Sequence, residues 1–183
     1  MNPVIDAINN RRSIRKYQRK DIPRETITEL LKAAAMSPSA TNSQCWRFIV
    51  IEDKGKISEL SERTKRQLQA QGYAPRFKDK LNSSEDTIFY NAPLVIIIAA
   101  DSDDKWSHIN CGIAAQTIML AAHSLGLGSC YIGLANTLNV EKTVLSDIGV
   151  PEGCEIIAAI TIGYPDETIH APNREPKIVK WIS

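Results

Sequence analysis

The stretch from about Ile109 to Leu125 constrains this chain most, because Ile113, Ala114, Ala115, Ile118, Met119, Leu120, Ala121 and Ala122 crowd into one helical length. A surface helix has an apolar stripe and a polar face, whereas this one is apolar nearly all round. It is therefore predicted to run through a core or along an interface between subunits. Its alanines allow close helix approach, and Gly126 and Gly128 break it. A chain of 183 residues has room for one domain around such a helix and little for a second. No repeat, low-complexity run or linker divides it, so residues 1–183 read as a single domain.

Helices and strands are predicted on either side. Pro3 to Asn10 reads as a short amphipathic helix with Val4, Ile5 and Ile8 inward, followed by a polar loop from Arg11 to Ile22. Pro23 suits the first turn of a second helix, in which Ile27, Leu30, Leu31, Ala34 and Ala35 recur at helical spacing until Ser37-Pro38-Ser39 ends it. Trp46 to Ile51 reads as a strand, and Lys56 to Ala70 as a charged amphipathic helix. The polar run from Gln71 to Asp86 reads as an irregular, mobile loop. Leu94 to Ala100 is a continuous apolar strand, expected to be buried on both faces. Ser129 to Ile132 and Glu155 to Ile162 are further strands, with a helix near Val140 to Ile148 between them. The tail from Pro172 to Ser183 ends in Ile178, Val179, Trp181 and Ile182, and such a tail needs a surface to cover.

Composition removes several function classes. The net charge of +1 provides no global field for nucleic acid or an acidic membrane surface. Cys45, Cys111, Cys130 and Cys154 stand alone, and His108, His123 and His170 have no ligand spacing with them, so no metal site is expected. The N-terminus turns polar too early for a signal peptide, and the apolar run Ala92 to Ala100 is too short to span a bilayer. The expected place is a reducing cytoplasm. No Gly-x-Ser-x-Gly occurs, and no Ser, His and Asp stand in a nucleophilic context. The chemistry is therefore expected to belong to a bound cofactor.

Four constellations could serve one. Arg11-Arg12-Ser13-Ile14-Arg15-Lys16 gathers cations and a hydroxyl at a helix-to-loop junction. Guanidinium groups meet phosphate bidentately, although a solvated basic loop is the commoner meaning of such a run. The run from Ser37 to Phe48 mixes small residues with Asn42 and Gln44, whose amides can pair with the edge of a planar ring; a Ser- and Asn-rich turn is the plain alternative. Gly126-Leu127-Gly128-Ser129-Cys130-Tyr131-Ile132-Gly133 is neither a dinucleotide fingerprint nor a phosphate-binding P-loop, but it could aim a backbone donor at a ring. Arg174 and Lys177 gain meaning only if the tail returns to the first cluster.

Together these segments resemble the nitroreductase family over nearly the whole chain. Ile-x-x-Arg-Arg-Ser-Ile-Arg-Lys-Tyr resembles its N-terminal signature, and the run Ala34 to Val50 its second block. The helix from Asn110 to Leu125 with Gly-Leu-Gly-Ser-Cys-Tyr-Ile-Gly resembles its third block, and Pro-Asn-Arg-Glu-Pro-Lys-Ile-Val its C-terminal phosphate arm. The resemblance implies an α+β fold with a central, mostly antiparallel sheet flanked by helices, in an intertwined homodimer with FMN at the interface. It implies a ping-pong reaction in which NAD(P)H reduces the flavin and an electron-poor acceptor reoxidises it; the chain is shorter than the larger members, which leaves a redox-protein donor open as well. Nitroaromatics and quinones are the usual acceptors.

Carried over by residue, Arg11 and Arg174 hold the FMN phosphate beside Arg12, and Ser13 bonds phosphate or ribityl oxygens. Arg15 lies near flavin N1 and O2, where a cation favours two-electron uptake. Pro38, Ser39 and Ala40 approach the flavin of the other subunit, and Asn42 is a further cofactor-binding candidate. Tyr131, Ile132 and Gly133 line the ring, with a backbone N–H near N5. Asn110 stands where relatives often carry Asp, and Gly133 where the larger members carry an acidic residue. Two alternatives share these binding residues: a non-catalytic FMN store or sensor, and flavin chemistry of another type, such as metabolite dehydrogenation or reductive dehalogenation.

Overall fold

The computed structural model describes residues 2–72 and 74–182, with the side chains of residues 74–76 outside the description. At its centre is a four-stranded sheet of β1 (Arg47–Ile51), β2 (Leu94–Asp101), β3 (Gly128–Tyr131) and β4 (Cys154–Gly163), ordered β1-β2-β4-β3. Each neighbouring pair is antiparallel. Six α-helices accompany it among the described residues: α1 (Pro3–Asn10), α2 (Arg24–Ala35), α3 (Lys54–Ala70), α4 (Ala74–Asn82), α5 (Ser107–Ser124) and α6 (Lys142–Asp147). Two 3₁₀ segments, Ala40–Asn42 and Gly133–Val140, join them. This is the expected α+β architecture.

Side-chain alternation along β2 divides the core into two layers. Leu94, Ile96, Ile98 and Ala100 meet Leu30 and Ala34 of α2 and Ala114 and Ile118 of α5. Val95, Ile97 and Ala99 meet Ile57, Leu60 and Leu68 of α3, with Val144 and Leu145 of α6. The apolar run from Leu94 to Ala100 is thus buried on both faces, as its composition predicts.

The ladder between β2 and β4 shifts register after Ile98, which pairs with Ala158 while Ala99 pairs with Ile156. Ile157 is the extra residue of this bulge. Its carbonyl accepts from the Tyr131 hydroxyl at 3.0 Å and the Asn136 amide at 3.2 Å. The irregularity therefore fixes a side chain at the end of β3. Helix α5 stops at Gly126, whose φ of 75° is left-handed. Gly126 N–H donates to His123 and Leu127 N–H to Ala122, at 3.1 and 2.8 Å, which closes the helix and turns the chain into β3.

Two expectations need correction. The predicted loop from Gln71 to Asp86 contains helix α4, kinked at Phe77, whose φ is -119°. Leu81 buries itself in the second core layer and Phe77, one helical turn earlier, packs against the same layer; this apolar pair sits in a short, charged run after Gly72 and Pro75, and tertiary packing stabilises the helix. In α1 no residue is buried: Val4, Ile5 and Ile8 are 62%, 50% and 48% exposed. The stripe has helical spacing, but among the described residues none buries it. The tail is likewise extended, and Val179 is 99% exposed. Among the described residues, no helix is long and apolar enough to cross a membrane.

Candidate functional site

The basic segment between α1 and α2 is sewn to the sheet from both sides. Ser13 and Ser129 form an isolated parallel bridge, in which the Ile14 N–H donates to the Ser129 carbonyl at 3.0 Å. Tyr17 donates its hydroxyl to the Ile14 carbonyl at 2.6 Å and lies 2.8 Å from Thr161 Oγ1 of β4. Beyond β4, Gln18 N–H donates to Tyr164 and Asp166 N–H to Lys16, both at 2.9 Å. The Glu167 carboxylate accepts from the backbone N–H groups of Arg15 and Lys16. A polar loop has become a fixed strand-like edge.

That edge concentrates positive charge. Burial, then the charges of Arg12 and Arg174, push the Arg11 guanidinium below its usual range. Arg174 is thus within electrostatic reach of Arg11. Among the described residues, no carboxylate forms an ion pair with Arg11, Arg12 or Arg174. Arg11 Nη1 and Arg12 Nε are buried without a hydrogen-bond partner, as is Ser129 Oγ. Arg12 spends Nη1 and Nη2 on the carbonyls of Arg11 and Asn9, at 2.6 and 2.7 Å. A pocket of ≈ 280 Å³ opens here between Arg11, Gly128, Ser129 and Thr168. Glu167 also lines this pocket, with its carboxylate oxygen held by the Arg15 and Lys16 backbone N–H groups. Converging cations with unspent donors and no ion-paired carboxylate among the described residues make a site for an anion.

Beyond Ser13 the site widens. Arg15 is exposed and lies 5.9 Å from the centroid of the Tyr90 ring. Burial disfavours its charge, but Cys130, Tyr90 and Glu167 together outweigh that and raise its pKa. Cys130 is 2% exposed; burial pushes its thiol up, against the opposing charges of Arg15, Lys80 and Arg11. These cations therefore surround one strand residue. A groove of ≈ 890 Å³ runs past Arg15, Tyr17, Tyr90 and Asn91. At the end of β3, the Ile132 N–H is spent on the Ala159 carbonyl at 2.8 Å. Among the described residues no acceptor meets the Gly133 N–H, and Gly133 itself is exposed.

The turn after α2 stands elsewhere. Thr41, Asn42 and Gln44 adopt left-handed φ values of 51°, 57° and 47°. Asn110 holds this shape: its Oδ1 accepts the Ala40 N–H at 3.0 Å, and its Nδ2 reaches Ser43 Oγ at 3.4 Å and Cys45 Sγ at 3.5 Å. Ser39 Oγ accepts the Gln44 N–H at 3.0 Å. Asn110 is 2% exposed, so its amide serves the turn. Pro38, Ser39, Ala40 and Asn42 thus sit at the N-terminal end of α5. The Arg11 pocket sits by His123, near the other end. The helix rise puts about 20 Å between Asn110 and His123. Within one chain the structure gathers Arg11, Arg12, Ser13 and Arg15 beside β3, which leads into Ile132 and Gly133, with Arg174 in electrostatic reach of Arg11, and leaves the turn apart.

The family model described as "Nitroreductase family" matches residues 8–164. The chain belongs to the nitroreductase family. A nitroreductase from Bacteroides fragilis, solved with bound FMN, superposes with a TM-score of 0.91 at 28% identity, covering 100% of both chains. A Methanothermobacter thermautotrophicus protein, provisionally named NADH dehydrogenase/NAD(P)H nitroreductase, is 34% identical over 90% of this chain and 78% of its own. An iodotyrosine deiodinase from Thermotoga neapolitana is 26% identical, over 99% of this chain and 98% of its own. The fold and the family resemblance read from the four blocks thus agree.

Three neighbours of the site escape sequence reasoning: Cys130, Tyr90 and Lys80. Cys130 lies inside the glycine-flanked block and could have been included by alternation along β3. Nothing local marks Tyr90 or Lys80, which arrive through the packing of α4.

Proposed function

We propose that residues 1–183 form one FMN-binding domain that works as a homodimeric, cytoplasmic oxidoreductase, with NAD(P)H as donor and a nitroaromatic, quinone or similar electron-poor acceptor. One observation carries the reading: the buried, unpartnered Arg11 Nη1 within electrostatic reach of Arg12 and Arg174, beside strand β3, which is followed two residues on by the exposed Gly133. The donor set fits FMN, because a phosphate monoester carries almost two negative charges and matches guanidinium geometry. FMN bound there supplies hydride transfer through N5, inward from the nicotinamide and outward to the acceptor. The chain's own task is to bind, orient and charge-stabilise.

Arg11 and Arg174 hold the phosphate, Arg12 adds charge, and Ser13 donates to phosphate or ribityl oxygens. Arg15 faces N1 and O2, where its positive charge favours the reduced ring. Tyr131, Ile132 and Gly133 line the ring, and the Gly133 N–H is the donor left over for N5. Pro38, Ser39, Ala40 and Asn42 of a second copy close the other side. Exposed Ile5 and Ile8 of α1, Ile109 and Ile113 of α5, and Val179 and Trp181 of the tail support that second copy. Apolar surface of this extent favours a partner.

The purified protein should be yellow or take up FMN, and NADH or NADPH should bleach it under anaerobic conditions. A colourless protein that ignores added FMN would overturn the reading. Bound flavin that neither nicotinamide nor a reduced redox protein can bleach would point to a store or sensor. The likeness to the Thermotoga deiodinase favours one second reading, reductive dehalogenation. Reoxidation of the reduced protein by halophenols, but not by nitroaromatics or quinones, would select it.

A further inference from the structure

The groove past Arg15 has a wall that the binding residues above leave unused. Lys80, at the end of α4, donates its ammonium to the Tyr90 hydroxyl at 2.7 Å and to the Thr87 carbonyl at 3.2 Å. The same ammonium stands 4.9 Å from the Tyr90 ring centroid, and Arg15 stands 5.9 Å from it. One aromatic ring therefore carries two cations. Such contacts hold a guanidinium in one orientation, which a free side chain on an exposed edge would not keep.

The ring is itself rigidly presented. Tyr90 and Asn91 adopt left-handed φ values of 59° and 50°, which non-glycine residues keep only when their surroundings over-determine them. Asp86 does so: its carboxylate accepts from the N–H groups of Ile88, Phe89 and Asn91 at 3.0, 2.8 and 3.0 Å, and from the Ser61 hydroxyl of α3 at 2.6 Å. Ile88 and Phe89 are 1% and 0% exposed. Thr87 clasps the end of α4 by donating to the Lys80 carbonyl at 2.7 Å. A strained turn tied at this many points is more than a connection between α4 and β2.

We infer that Tyr90, gripped by Lys80, is a positioning residue that fixes the Arg15 guanidinium and thereby sets the reduction potential of the bound flavin. This rests on the reading that Arg15 faces N1 and O2. A fixed cation there stabilises the negative charge that two-electron reduction leaves on the ring, and preorganisation is what gives such a charge its effect. Lys80 acts through the tyrosine.

The test is the FMN midpoint potential of the loaded protein, with FMN affinity measured alongside. Tyr90→Phe keeps the ring and removes the hydroxyl that Lys80 grips; Lys80→Met removes the cation. Each should cut the preference for reduced over oxidised FMN about tenfold, about 30 mV more negative for a two-electron couple. Affinity for oxidised FMN should hold, and Lys80→Arg should restore the potential. In an Arg15→Ala background, Lys80→Met should add no further shift. Wild-type potentials in Tyr90→Phe and Lys80→Met, with a shift in Arg15→Ala, would overturn the inference and leave the functional reading standing. A full Lys80→Met shift persisting without Arg15 would also overturn it. An unchanged potential in Arg15→Ala would instead remove the placement of Arg15 on which both rest. Should Lys80→Met fail to fold, Lys80→Gln gives the same comparison.

Discussion

Gly128 lies so close to Ile14 that a Cβ added to it would stand 2.8 Å from the Ile14 Cβ. Ile14 is branched at that atom and 8% exposed, so no rotamer moves the obstruction away. The next residue of β3 accepts the Ile14 N–H, so the glycine sets how near the basic segment approaches the strand. Gly128→Ala should destabilise the protein by about 1–3 kcal/mol, the usual effect of overpacking. FMN affinity should fall as well, because Arg11 and Ser13 move with Ile14. Urea unfolding and fluorimetric FMN titration check both; wild-type values in the two assays would contradict the close approach.

Arg11→Ala should have opposite effects on the empty and the loaded protein. Without ligand, Arg11 is pushed down by burial and by Arg12 and Arg174, so removing it relieves repulsion and should leave stability unchanged or higher. With FMN, a charge-assisted phosphate contact is lost, worth about 1.5–3 kcal/mol. That corresponds to roughly a tenfold to hundredfold weaker Kd. Thermal melts with and without FMN separate the two effects. A loss of stability without ligand and no change in Kd would make Arg11 a structural residue.

Asn110 anchors the turn after α2. Its Oδ1 is the acceptor for the Ala40 N–H in a turn with three left-handed non-glycine residues. Asn110→Leu strands that donor, costing about 1–3 kcal/mol. Asn110→Asp keeps the acceptor near the start of α5, where the helix dipole favours negative charge, and should lose less. Equal stabilities of the two variants, by chemical denaturation, would show that the turn holds itself.

What could be read in the sequence follows from which forces are local. Leu94 to Ala100 is apolar without interruption, and that suffices for a doubly buried strand wherever its neighbours lie. The α5 segment carries its own signal, as do the four ordered blocks. Helix α4 is harder to read: Phe77 and Leu81 stand at helical spacing, but in a short, strongly charged run after Gly72 and Pro75, and Leu81 becomes a core residue only once α3 is beneath it. The turn at Thr41, Asn42 and Gln44 has no glycine to announce its left-handed backbone. Whether the Asn110 amide faces a cofactor or a turn depends on the rotation of α5 relative to α2, which only packing decides. The α1 stripe is legible as a stripe, but among the described residues nothing buries it.

Alkaline pH should expose the buried thiol. Burial, then Cys45, pushes Cys111 up to about 12; a free thiol ionises near about 8.5. A pKa raised by folding gives stability that is complete below the unfolded value and lost as pH rises towards the folded one. Burial raises Cys130 as well, with the same sign. Urea midpoints should therefore decline above about pH 8.5, and Cys111→Ala should flatten that decline. An identical slope in the variant would show that the thiol does not titrate differently on unfolding.

The tail reports on the second copy. Trp181 is 77% exposed in the single chain and Trp46 only 7%. With Trp106, itself 45% exposed, replaced by Phe, Trp181 emission should be blue-shifted at micromolar concentration in a dimer whose partner covers the tail and move to the red on dilution, in step with the sedimentation coefficient. Deleting residues 169–183 removes no member of either core layer. The truncated protein should keep its far-ultraviolet circular dichroism, yet dimerise more weakly and retain less FMN. Arg174→Ala in the full chain separates the two roles of the tail: it removes one phosphate contact while leaving the apolar end in place. It should weaken FMN binding as Arg11→Ala does and leave the sedimentation coefficient unchanged. A truncated protein that matches the full chain in both dimerisation and FMN retention would mean that the tail covers nothing, and that Arg174 approaches Arg11 without sharing its ligand.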